Sequence, residues 1–259
     1  QLNVGGLLNK NGTSSDGGTT YNLAAADNWL AGAAASADIS DASSNGITVS
    51  NVANPTLSSA AYNATSGVLT VTGTNFVKEN GSNNDVDVSK LSITGEAGSS
   101  YTLTSSDVEM SSSTQFSVTL NAADQLNVGG LLNKNGTSSD GGATYNLAAA
   151  DNWVAGAAAS VDISDASSNG ITVSNVANPT LSSAAYDAAS GVLTVTGTNF
   201  VKENGSNNDI DISKLSITGE GGSSYSLTSS DVEVNSRTEF SVSLNEADKL
   251  RLSQLLNKD

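Results

Sequence analysis

Leu57-Ser58-Ser59-Ala60-Ala61-Tyr62-Asn63-Ala64-Thr65-Ser66-Gly67-Val68-Leu69-Thr70-Val71-Thr72-Gly73 decides the fold class. Two β-prone runs, 57–62 and 68–73, flank the turn residues Asn63 to Gly67, and that order of segments predicts a β-hairpin. Working outward, Val86 to Thr94 alternates over nine residues and predicts a further strand. Tyr101 to Leu103, Val108 to Met110 and Phe116 to Leu120 predict three short ones, and Ile47 to Val52 another. Short strands separated by Gly, Ser and Asn turns point to a mostly β fold of sandwich type. One helix interrupts them. Asn121 is a good N-cap with Asp124 three positions on, and the helix is expected to run to about Lys134 and stop at Gly136. Gly129-Gly130 weakens it by roughly 1 kcal/mol per Gly relative to Ala.

The same stretch recurs at Leu181 to Gly197, an offset of 124 residues. Residues 1–124 map without a gap onto 125–248 with 15 differences, and 249–259 lie over 125–135 as the opening of a third copy. In that third copy Ser253-Gln254 replaces Gly129-Gly130, which favours a firmer helix. A 124-residue repeat exceeds the 20–50 residues of solenoid layers, so each copy is expected to fold as a bead. The two prolines, Pro55 and Pro179, stand in matching Val-Ala-Asn-Pro sequences and mark linkers. On that phase 1–54 is the back part of a preceding unit, 55–178 a complete unit and 179–259 the front part of a following one. A chain without an initial Met that stops within a unit reads as an excerpt from something longer. Because the front part lacks the strand equivalent to 47–52, the 1–54 segment of another copy could complete it by head-to-tail strand complementation.

The net charge is −16, with 11 acidic and 3 basic residues in the first repeat and 14 and 4 in the second. Such a surface disfavours nucleic acid and anionic membranes. The sequence has no Cys and no His, so Ser-His-Asp, Cys-His and the usual zinc sites are excluded. No apolar run approaches the ~18 residues of a membrane span. The expectation is a non-enzyme.

Two acidic pairs recur in both copies. Asp85 and Asp87 (copy Asp209, Asp211) fall at alternate positions at the entry to the predicted strand, where they either converge on a hard cation or line the solvent face of an edge strand. Asp38 and Asp41 (copy Asp162, Asp165) precede the last strand and the linker, where they either ligate an ion with the next bead or form Asx turns. Tyr21 and Trp29 are read as core residues in preference to a sugar-stacking platform. Asn11, Asn63, Asn80, Asn135 and Asn204 begin Asn-x-Ser/Thr sequons and are read as turn residues, and a Lys–Asn isopeptide involving Lys78 or Lys90 would show as a loss of ammonia.

Three blocks, Ala61 to Asn75, Asn84 to Glu96 and Leu131 to Ser139, resemble repeats of giant bacterial surface adhesins. Those are RTX-adhesin-like proteins, many exported by type I secretion, built of tandem Ig-like domains. The resemblance spans the whole chain. It implies tandem Ig-like sandwiches with one short helix each, Ca²⁺ at or near domain junctions, an extracellular place at the bacterial cell surface, and a stalk that spaces an adhesive terminus in adhesion or biofilm formation. The Gly-Gly-x-Gly-x-Asp nonapeptide of secreted calcium β-rolls is absent. A self-assembling extracellular filament or sheath is the first alternative and a glycan-binding module the second.

Overall fold

A computed structural model describes residues 2–256. The fold is mostly β, with thirteen strands and three short α-helices among those residues. In chain order the first part holds α1 (Leu2–Leu7), β1 (Thr56–Asn63), β2 (Val68–Thr74), β3 (Leu91–Thr94), β4 (Ser100–Thr102), β5 (Met110–Ser112), β6 (Gln115–Thr119) and α2 (Ala122–Leu131). Then come β7 (Asn146–Ala149), β8 (Gly170–Ser174), β9 (Thr180–Asp187), β10 (Val192–Thr198), β11 (Ser216–Thr218), β12 (Ser224–Ser226), β13 (Glu239–Ser243) and α3 (Glu246–Leu255).

The hairpin forms as expected: β1 pairs antiparallel with β2, from Thr56 opposite Thr74 to Asn63 opposite Val68. Its turn is held by Asn63, whose side-chain oxygen accepts from the Thr65 and Ser66 amides. Gly67 closes it at φ 68°, a conformation that costs glycine little. Eight strands join in the order β4-β3-β7-β8-β1-β2-β6-β5. The link between the two halves is a parallel pair, β1 with β8, running from Ser59 opposite Gly170 to Asn63 opposite Ser174. The first and last strands of segment 55–178 are therefore neighbours despite their distance along the chain. One core lies inside, drawn from Leu57 to Val173. Its centre is aromatic: Trp153 meets Phe76 edge-on at 5.6 Å between ring centroids, and Phe116 packs at 6.1 Å. Trp153 is 0% exposed and its indole N–H donates to the Ile163 carbonyl at 2.9 Å.

A second core draws on Leu193 to Leu252 and is built on the three strands β13-β10-β9, with β11-β12 as a separate pair. The elements there repeat those of the first unit 124 residues later: β9 matches β1 and β10 matches β2. Residues 12–50 hold isolated bridges, such as Gly12 with Val49 and Ala25 with Asp41, where the nearly identical 136–174 makes β7 and β8. The difference is one of partners. In 146–174 the strands lie against β3 and β1, whereas 22–50 has no such neighbours among the described residues. Trp29 is accordingly 61% exposed where its counterpart Trp153 is enclosed.

The fold departs from the sequence reading in several places: the strand expected over 47–52 is only an isolated bridge, Val49 with Gly12, and Trp29, read as a core residue, is exposed. The nine-residue strand expected over 86–94 is instead a bridge at Val86, a turn of 3₁₀ helix at Val88–Lys90 and a strand only from Leu91. Asp87 causes the break, because its side chain caps the 3₁₀ turn by accepting from the Ser89 amide. The helix after Asn121 ends at Leu131 and not at Lys134, since the Leu132 backbone has left helical geometry. The corresponding residues Asn257 and Lys258 of the third copy lie outside the described residues.

Candidate functional site

Helix α2 is where two units meet, and its two faces do different jobs. Asn121 caps it, accepting from the Asp124 amide at 2.8 Å. Asp124 then points inward and is fully buried. Its carboxylate accepts from the Tyr101 hydroxyl at 3.0 Å, the Thr104 and Ser105 amides, and both their hydroxyls. A buried charge is tolerable when it is this fully hydrogen-bonded. Val128, Leu131 and Leu132 of the same face join the first core. This face closes the unit that precedes it.

The other face belongs to the unit that follows. Leu126 is 6% exposed and packs in the second core, with Leu193, Val195 and Phe200. Its carbonyl accepts from the Lys202 amide at 3.1 Å. Arg237 of the second unit donates to the Gln125 side-chain oxygen at 2.7 Å. Gly129 and Gly130 make the close approach feasible. A Cβ on Gly129 would stand 2.8 Å from Val201 Cγ1, and one on Gly130 would overlap the Lys202 carbonyl oxygen.

The same arrangement is found once more. Around α1 the Lys78 amide donates to the Leu2 carbonyl at 3.0 Å, a Cβ on Gly5 would lie 2.6 Å from Val77 Cγ1, and one on Gly6 would overlap the Lys78 carbonyl oxygen. Asp16 adds a contact at that junction, accepting from the Ser160 amide at 3.1 Å and from its hydroxyl. The Ser160 hydrogen bond, with Lys10 beside it, holds the Asp16 carboxyl below its ordinary value. Sequence reasoning took Gly129-Gly130 as a helix weakness. The signal it passed over was the pairing of two adjacent glycines, in both copies, on a helix whose apolar residues point in two directions.

The predicted acidic pairs separate in the fold. Asp85 is fully buried and accepts from the Glu79 amide at 2.7 Å and the Met110 amide at 2.8 Å, with Lys78 Nζ at 3.8 Å. Asp209 repeats this with Glu203 and Val234. Neither is on a solvent face of a strand. Asp87 and Asp211 cap 3₁₀ turns, and the Ser213 hydroxyl holds Asp211 below its ordinary value. Asp38 and Asp162 form Asx turns onto the Ser40 and Ser164 amides at 2.9 and 2.8 Å. Bonds from those serines lower both their pKa values. Asp41 bridges to Ala25, while Asp165 accepts from the Leu57 amide at 3.0 Å and from Asn169. Asp165 therefore ties the first strand of the unit to its closing segment. Among the described residues no three acidic side chains converge as a metal centre. No helix there is long and apolar enough to cross a membrane. Lys78, considered for an isopeptide, pairs with Glu109 at 3.2 Å.

Compared with known protein families, with curated proteins and with solved structures, the chain matches none.

Proposed function

We propose that this chain is a structural spacer from a large bacterial extracellular adhesin, in which Ig-like β-sandwich units are joined end to end at the cell surface and length is the product. The observation that carries the reading is the shared helix. One face of α2 completes one core and the other enters the next, so consecutive units are joined by more than a tether. The Ig-like assignment draws support from the parallel pairing of first and last strands and from the buried Trp153 cluster. The partners proposed are neighbouring repeats, and no catalysis is part of the reading. Calcium enters as a stiffening ion proposed at Asp38 and Asp41 and at their copies Asp162 and Asp165, which precede the proline positions in sequence. A melting midpoint that rises in excess Ca²⁺ supports it, and one that does not move removes it. The test of the spacer itself is length. Chains carrying one, two or three extra copies of 55–178 should lengthen by a constant increment of about 40 Å in small-angle scattering, from strands of roughly eight residues plus end loops. A compact particle whose maximum dimension does not grow would refute it.

A second reading, a self-assembling filament, is favoured by one specific surface. In the second unit Leu181, Tyr186, Leu193 and Ile217 line a groove of about 430 Å³, and Leu181 is 60% exposed. Their counterparts in the first unit, Leu57, Tyr62, Leu69 and Ile93, are buried in a core that also takes in residues of β7 and β8 and Trp153. Residues 22–50 of a second copy carry nearly the same sequence as 146–174, including Trp29. Sedimentation over a concentration series checks this reading: growth of head-to-tail oligomers supports it, and a monomer at every concentration rules it out. The glycan-binding alternative is not favoured in a complete unit, where Trp153 is enclosed.

A further inference from the structure

The third helix keeps one of the two faces and replaces the other. Against 125–135, residues 249–259 differ at six of eleven positions, whereas the first two copies differ at 15 of 124. The changes are not scattered. Positions that close the preceding unit stay apolar or acidic: Asp248 for Asp124, Leu252 for Val128, Leu255 and Leu256 for Leu131 and Leu132. Asp248 repeats the buried network of Asp124, accepting from Tyr225, Thr228 and Ser229. Positions that touch the following unit change. Gln125 becomes Lys249, and Gly129-Gly130 becomes Ser253-Gln254. Away from that contact face, Asn127 becomes Arg251, whose guanidinium packs on its own unit, 5.9 Å from the centre of the Tyr225 ring. Among the contact positions, Leu250 alone keeps the identity of its counterpart, Leu126.

We infer that the glycine pair on this helix is a docking signature read by the Val-Lys segment of the next unit, Val77-Lys78 or Val201-Lys202, and that Ser253-Gln254 forbids that contact. The array thus encodes where its units lock together and where the lock is withheld. Steric fit is the physical cause. A side chain at position 130 meets a backbone carbonyl, which cannot swing aside as a flexible side-chain end could. The two units must then separate. Separation breaks the Lys202 amide bond to Leu126 and draws Leu126 out of the second core. A helix carrying Ser-Gln therefore closes its own unit without locking onto the next.

The inference rests on the spacer reading for its meaning, but the two can fail separately, because units can still add length without locking. The test places the third copy's residues in a docked helix of the 259-residue chain, as G129S/G130Q. Both substitutions raise helix propensity, so the helix and its own unit should hold. Amide hydrogen exchange is read at Lys202 and, as an internal reference, at β1, β2 and β6. The expected result is exchange at Lys202 faster by about tenfold or more, with the reference amides unchanged. Unchanged protection at Lys202 overturns the inference. Should the double variant unfold, G130A adds a single methyl against the same carbonyl and is read in the same way. The chain has no Cys, so Leu126→Cys provides one thiol as an independent probe. That thiol should react slowly when Gly129 and Gly130 are intact, and about tenfold faster or more in the G129S/G130Q background. Equal rates in the two backgrounds also overturn the inference.

Discussion

Single residues bear on the stability of this protein through buried carboxylates as well as through apolar packing. Asp124 satisfies five donors with one side chain. Asp124→Ala removes the acceptor and leaves those donors in a closed interior, a loss of at least about 3 kcal/mol. Urea unfolding of the variant measures it, and a loss below about 1 kcal/mol would show that the network is dispensable. Asp248 makes the matching network, and it yields a pH prediction. Burial acts to raise its pKa, but bonds from Ser229, Thr228 and Tyr225 outweigh that and hold the carboxyl below its ordinary value. A carboxyl depressed in the folded state contributes stability above its unfolded pKa, and that contribution is lost as pH falls through the folded one. The melting midpoint should therefore drop on acidification below about pH 4, and Asp248→Asn should flatten that drop. An acid limb of the same steepness in the variant would assign the loss to other groups. At the centre of the core, Trp153→Ala should cost about 3–5 kcal/mol, measured in the same urea series.

Elements here owe their form to neighbours more than to propensity. The caps are local: Asn121→Ala should cost about 1 kcal/mol in that series, since the Asp124 amide loses its acceptor. The strands are not local. Residues 22–50 and 146–174 differ at two positions, yet 146–174 makes β7 and β8 and 22–50 makes isolated bridges. What separates them is access to β3 and β1. The glycine-bearing helix shows the same dependence on surroundings. Its two glycines weaken it as an isolated segment, and the close approach to Lys202 accounts for their presence.

At the scale of the whole molecule, the two cores are joined through one helix, so disturbance at a junction should be felt on both sides. Trp29 and Trp153 offer a direct readout of assembly. In a Trp153→Phe variant the remaining Trp29 should be quenched freely by acrylamide in dilute solution. If a second copy's 22–50 segment fills the groove at Leu181, that quenching should fall several-fold as concentration rises. Constant quenching at all concentrations would leave the filament reading without its central contact.

The hairpin at 57–73, the Asn121 cap, the 124-residue period and the absence of His and Cys were all readable from the chain, because each depends on neighbours in sequence or on composition alone. The breakdown of 86–94 into a bridge, a 3₁₀ turn and a short strand was not readable. Asp85 is taken inward by the Glu79 and Met110 amides, and alternation does not reveal which face a carboxylate's donors occupy. Strand β7 was likewise hidden in a polar stretch, since it pairs with β3 from far along the chain, Leu91 opposite Ala149. The double use of α2 was the least legible feature. Sequence records two glycines and an apolar pattern, but whether a helix faces one core or two is decided only when a second body packs against it.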